Sequence, residues 1–119
     1  MPYIAAISKI DLPCKTDQKE VKEQARIAFT SRSPHMDRLM DVFDNTQIIT
    51  RNFCKPLNYY TGPSTFEDRN NAYLEASLRW SVEAIEQWIA RANIVKEDIT
   101  DIVFVSTTGL ATPSMDALI

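Results

Sequence analysis

Few side chains in this sequence are of the types that attack, ligate or shuttle protons, and their spacing narrows what they can do. Cys14 and Cys54 stand forty residues apart and form no C-x-x-C pair, and the single histidine, His35, is remote from both in sequence. Zinc takes four such ligands, or three and a water, so no metal site is expected. Cys14 follows a proline in a loop and Cys54 sits at a strand end; neither has a base within sequence reach, and both read as ordinary half-buried thiols. His35 falls at a helix start, where the positive end of the helix disfavours an imidazolium. The hydroxyl-rich run Ser106-Thr107-Thr108-Gly109 is different, because it closes an apolar strand-like stretch. Ligands of open α/β sheets collect at the carboxyl ends of strands.

Composition removes other chemistries. Only Gly62 and Gly109 occur among 119 residues. Walker and dinucleotide loops need several glycines for close backbone approach to phosphates, so neither is present in this stretch. Thirteen basic against sixteen acidic residues give a net charge of −3. Nucleic acid binding through phosphates calls for a basic stripe, and the segment from Arg26 to Arg38 is diluted by apolar residues and Asp37. Nucleic acid is therefore not an expected partner. The amino-terminal MPYIAAISKIDLP has no basic leader and only a short apolar run, which predicts neither a signal peptide nor a membrane span. With two isolated cysteines, this places the protein in a reducing cytoplasm.

The elements that must carry these residues follow from periodicity. Tyr3–Ile7 reads as a short strand closed by Asp11-Leu12-Pro13. Thr16 is placed to cap a helix whose face is Val21, Ala25, Ala28 and Phe29, ending near Thr30-Ser31. Ser33-Pro34 opens a second helix with Met36, Leu39, Met40 and Phe43 inward, and with Arg38, Asp41 and Asn45 together on the other side. Gln47–Phe53 reads as a strand centred on Ile48 and Ile49 and stopped by Pro56. Ser64-Thr65-Phe66-Glu67 reads as a capping box. It leads into a helix from about Phe66 to Ala92, with a break expected near Asn70-Asn71 and with Trp80 and Trp88 in the core. The unbroken apolar run Ile102–Val105 predicts a strand covered on both faces. Strand, helix, helix, strand, long helix, buried strand is an α/β order. It holds too few strands for a finished sheet, so the chain reads as part of a larger one.

Three stretches, RLMDVFDNTQIITRNF, GPSTFEDRNNAYLEASLRWSVEAIEQWI and DIVFVSTTGLATPSMDALI, resemble in order and spacing the N-terminal part of the type III polyketide synthases, the chalcone synthase family, and most closely its bacterial members. The resemblance implies a thiolase-like, layered α/β/α/β/α fold of which residues 1–119 form the N-terminal portion, ending before the catalytic cysteine. It implies a homodimer that condenses an acyl-CoA starter with malonyl-CoA through a cysteine thioester, with no cofactor. The family's catalytic Cys, His and Asn fall beyond Ile119, and the fragment alone is expected to be inactive. Thr107 matches a wall position of the reaction cavity. Thr112 matches the position where many plant relatives place a methionine that crosses the dimer interface. Arg38 matches a basic residue that contacts CoA phosphates, and a guanidinium pairs well with phosphate oxygens; two further basic positions on that face are here Asp41 and Asn45. Arg51 reads as structural. The neighbouring alternative is a ketoacyl-acyl-carrier-protein synthase III-like enzyme, and from another class a non-catalytic α/β interaction module. In isolation, the uncovered final strand predicts an oligomer that buries its edge.

Overall fold

A computed structural model describes residues 1, 3–29 and 36–119, which divide into two compact units: Asp11–Pro63, and Met1–Ile10 together with Ser64–Ile119. Ser33-Pro34 and His35 lie outside the described residues. The described elements are helices and a small two-stranded sheet, a mixture compatible with the α/β class.

In the Asp11–Pro63 unit, strand β1 (Cys14–Asp17) pairs antiparallel with β2 (Thr50–Phe53), with Cys14 opposite Phe53 and Thr16 opposite Arg51. Helix α1 (Gln18–Phe29) follows β1 without a loop. Thr16 is therefore a ladder residue and not the expected helix cap. The first amide of α1, that of Gln18, instead donates to the carbonyl of Ile49 at 2.8 Å. Helix α2 (Met36–Asn45) buries Met40, only 7% exposed, but leaves Leu39 more than half exposed, so its inward face is narrower than the sequence spacing predicts. Ile48 and Ile49, expected at the centre of β2, precede it and are exposed. A short helix α3 (Leu57–Thr61) begins after Pro56.

Gln18 is the polar centre of this unit. It is 7% exposed, and its amide donates to the Phe43 carbonyl at 3.1 Å and to Thr46 Oγ1 at 3.3 Å. Its Oε1 accepts from Arg51 Nε at 2.7 Å. A buried amide with donors and acceptor all engaged joins β2 to the end of α2 and fixes both on α1. Arg51 thus has the structural role that the sequence suggests. Lys22 and Asp44 add an exposed ion pair between α1 and α2 at 2.7 Å, of the kind that contributes little in water.

The other unit is built on α4 (Phe66–Ala92), continuous through Asn70-Asn71 and about 40 Å long at 1.5 Å per residue. Its capping box is real but set one residue later than expected. Thr65 Oγ1 accepts from the Asp68 amide at 3.0 Å, and the Asp68 carboxylate accepts from the Thr65 amide at 2.9 Å. The Thr65 amide, and then the Thr65 hydroxyl, which donates to the same carboxylate at 2.7 Å, hold the Asp68 carboxyl below its usual range. At the other end Asn93 turns left-handed, φ 53°, and Ile94 N–H reaches back to the Ile89 carbonyl, as in a Schellman stop.

Two expected strands of this unit form no ladder among the described residues. Residues 3–10 run along α4, where the carbonyls that a sheet would use are taken by side chains: Trp88 Nε1 donates to Ala6 O at 2.9 Å, and Arg91 to Ile7 O at 3.1 Å. Ser8 Oγ returns a bond to the Ala84 carbonyl. Trp80 and Trp88 are both half-buried. The run Ile102–Val105 forms no ladder with any described residue, and Val103 and Val105 are 87% and 85% exposed. Beyond it, α5 (Met115–Leu118) packs Met115 on α4.

Candidate functional site

The loop that joins the apolar run to α5 is held by α4. Asn70 clamps it with a two-bond amide pair: Nδ2 donates to the Leu110 carbonyl at 3.0 Å, and the Leu110 amide donates to Oδ1 at 2.8 Å. One turn further along the helix, the Tyr73 ring lies against Gly109. Gly109 has φ 68°, a conformation that glycine adopts without strain, and a Cβ there would overlap the ring. Ser106 Oγ closes the turn before it, accepting from Thr108 N–H at 3.2 Å and donating to Thr108 O at 3.0 Å. A backbone amide pair, a ring under a glycine and a hydroxyl-closed turn fix this loop to a helix without burying it.

Thr107 and Thr112 both lie on this loop, exposed, on either side of the Asn70 clamp point. The peptide between Thr112 and Pro113 is cis. Beside the loop's lead-in is a cavity of about 340 Å³ between α4, at Ala84, Ile85 and Trp88, and the run Ile102–Phe104, with Ile119 at its edge. Its lining is mainly apolar, and Ser81 and Asp101 supply polar groups. Thr107 and Thr112 are not among the residues that line this cavity.

Arg38 belongs to the other unit. It is exposed on α2 and lines a cavity of about 680 Å³ with Ala25, Phe29, Asp41 and Asn45. The three polar residues of one helix face thus share a cavity rim, as their spacing implies, with a carboxylate one turn from the guanidinium. Among the described residues no group of three or more His, Cys, Asp or Glu could hold a metal, and no helix is long and apolar enough to cross a membrane.

Sequence reasoning missed the residues that position the loop. The sequence predicts a helix break at Asn70 and assigns Tyr73 no role. Their three-residue separation on one helix face was the available signal. It also missed the bond between Cys54 Sγ and the Tyr60 hydroxyl, 3.2 Å apart.

Comparison with known proteins gives this arrangement a context. The chain is 33% identical over 122 aligned residues to a chalcone synthase-like protein of Bacillus subtilis, covering 98% of the chain and 33% of that protein. It is 30% identical over 116 residues to a 1,3,6,8-tetrahydroxynaphthalene synthase of Streptomyces peucetius subsp. caesius, covering 96% of the chain and 30% of the relative. A synthase of the same name from Streptomyces coelicolor is 29% identical over 99 residues, 83% of the chain and 26% of that protein. The chain spans about a third or less of the length of these curated relatives. No family model and no solved structure matches it.

Proposed function

This chain is a relative of the type III polyketide synthases, chalcone synthase-like and tetrahydroxynaphthalene synthases, and on that premise we propose that it forms the N-terminal portion of a cytoplasmic, homodimeric condensing enzyme with a thiolase-like layered fold. The reaction joins an acyl-CoA starter to malonyl-CoA. The starter's acyl group passes from CoA to a cysteine thiolate, giving a thioester and free CoA. Malonyl-CoA loses CO2, and the electron pair left behind attacks the thioester carbonyl. The new carbon–carbon bond forms as the carbon–sulfur bond breaks, and the cysteine departs as thiolate. Hydrogen-bond donors stabilise the oxyanion between those steps. The cysteine, and the histidine and asparagine that assist it, belong to residues beyond 119, and residues 1–119 alone do not catalyse the reaction.

In this reading the described residues bind and shape. Thr107 forms part of the wall around the growing chain. Thr112, on the same loop, stands at the boundary with the partner subunit, where its small polar side chain sets which starter fits. Arg38 binds a CoA phosphate. The observation that carries the reading is that similarity runs along 98% of the chain. The clamped loop supports it, since a wall residue must be held in place to discriminate between substrates.

The test is turnover by the protein translated from the whole reading frame. Malonyl-CoA-dependent release of CO2 and CoA with acyl-CoA starters is the expected result. Arg38→Ala should raise the KM for acyl-CoA about tenfold, the loss of one charge-assisted hydrogen bond, with kcat little changed. Thr107→Trp should shorten the product or exclude longer starters. A frame that stops at Ile119, or a full-length protein that never decarboxylates malonyl-CoA, would refute the enzyme reading and leave a binding module.

A further inference from the structure

The two thiols, unremarkable in sequence, lie at the same end of the β1–β2 ladder. Cys14 is the direct ladder partner of Phe53, so the two side chains share a face of the sheet. The Phe53 ring packs on Tyr60, with centroids 5.2 Å apart. Cys54 is the next residue, where the strand ends in a bend, and its Sγ lies 3.2 Å from the hydroxyl of that same Tyr60. Regular alternation would send Cys54 to the opposite face. The strand ends at Phe53 and Cys54 lies in a bend, so that alternation does not govern it; Phe53 and Cys54 both contact Tyr60, whose phenol also feels the Cys14 thiol. Both thiols are free and half-buried.

Their separation suits a bridge. Paired Cα atoms across an antiparallel ladder are about 4.5–5.5 Å apart and successive Cα atoms about 3.8 Å, which puts the Cα atoms of Cys14 and Cys54 roughly 6 to 6.7 Å apart. Disulfides span about 4.4–6.8 Å.

We propose that Cys14 and Cys54 form an oxidisable dithiol site that takes hydrogen peroxide as its substrate and closes to an intramolecular disulfide across β1 and β2. The Cys54 thiolate attacks one peroxide oxygen, the O–O bond breaks, and hydroxide leaves, giving a sulfenic acid. The Cys14 thiolate then attacks that sulfur. The S–S bond forms, the S–O bond breaks, and the oxygen leaves as a second hydroxide, which is protonated to water. Two thiols are oxidised by two electrons and one peroxide is reduced to two waters. A dithiol reductant reverses the closure. Tyr60 orients the attacking sulfur. Burial first, and then the neighbouring thiol, pushes its phenol up to about 12. It therefore remains protonated at neutral pH and can donate to Cys54 as the thiolate develops. This site is independent of condensing activity and uses only residues of one compact unit.

The experiment treats the reduced protein with hydrogen peroxide, quenches it with a thiol-alkylating reagent and digests it without reductant. The expected product has lost about 2 Da, with two thiols fewer per chain. Tryptic mapping should link the peptide Ile10–Lys15 to the peptide that begins at Asn52. Closure should run at least about tenfold faster in the folded protein than in guanidinium, because the fold holds the sulfurs together. Cys14→Ser and Cys54→Ser should each abolish the linked peptide, and Tyr60→Phe should slow closure about three- to tenfold while leaving the link intact. Separate sulfinic acids on the two cysteines, a link to another cysteine, or equal rates folded and unfolded would overturn the site. An unchanged rate in Tyr60→Phe would overturn the role given to the phenol.

Discussion

The β1–β2 ladder of one unit and the apolar run Ile102–Val105 of the other invert the usual expectation about strands. CKTD contains little that favours a strand and TRNF only its Thr and Phe, yet they pair residue for residue over four positions. IVFV is all apolar and mostly β-branched, yet no described residue pairs with it, and two of its valines are largely exposed. The difference lies in what each segment meets. β1 runs directly into α1, whose first residue, Gln18, grips Arg51 on β2 and the end of α2, so the partner strand is delivered by side-chain bonds. The apolar run leads instead into a loop clamped to a helix by Asn70, and the clamp fixes the loop without supplying a strand. Strand propensity describes a fit to a pleated, half-buried surface. Where that surface is not built, the propensity has nothing to act on.

The two glycines put the sharpest test on the clamped loop. Gly109→Ala adds a Cβ into the Tyr73 ring and asks an L-residue to hold φ 68°. The combined cost should be about 2–4 kcal/mol, read as a fall in the urea midpoint with an unchanged slope. Gly62→Ala is the control from the other unit: φ is −77°, and the new Cβ would stand 3.2 Å from the Asn58 carbonyl, a contact that small shifts relieve. It should cost under about 1 kcal/mol. Equal effects would mean that the loop is not fixed against α4 in solution.

Gln18→Leu tests the ladder at its centre. It keeps the approximate volume but leaves Arg51 Nε without its acceptor and removes one of the bonds to the Phe43 carbonyl, which Thr46 Oγ1 still reaches. The loss should be about 1.5–3 kcal/mol, because a partly buried cationic donor is orphaned. Hydrogen exchange should accelerate selectively in β1 and β2. Uniform acceleration across α4 as well would show that Gln18 supports more than its own ladder.

How much of this was legible follows from the range of each signal. The long helix α4 was legible because its stripe, cap and stop are all written within a few turns of chain. The capping box slipped by one residue, since Ser64 and Thr65 are both acceptable caps and Asp68 serves as well as Glu67. β1 was not legible, because nothing in Cys-Lys-Thr-Asp reports that Gln18 will bond to Arg51, thirty-three residues away. Asn70 was misread for the same reason: the residue weakens a helix locally, and its reward is a loop forty residues on. Of the candidate site, the loop carrying Thr107 and Thr112 was found through resemblance, while the residues that hold it became visible only in three dimensions.

The smallest expected effect separates the two accounts of the apolar run. In the chain of residues 1–119, Val103→Thr with Val105→Thr should change stability by no more than about 0.5 kcal/mol, since surface substitutions away from special features do little. Those side chains are already 87% and 85% exposed. Sedimentation should show less self-association in the double variant, because exposed apolar extended chain invites edge pairing. In the longer condensing enzyme proposed above, the same run would enter a sheet covered on both faces. The pair should then cost about 2 kcal/mol or more, through lost apolar burial and two hydroxyls taken from water. A large cost in the 119-residue chain would mean that its own oligomer already buries the run. A negligible cost in the longer protein would mean that the run is not a core strand there, and the thiolase-like layering would have to be abandoned.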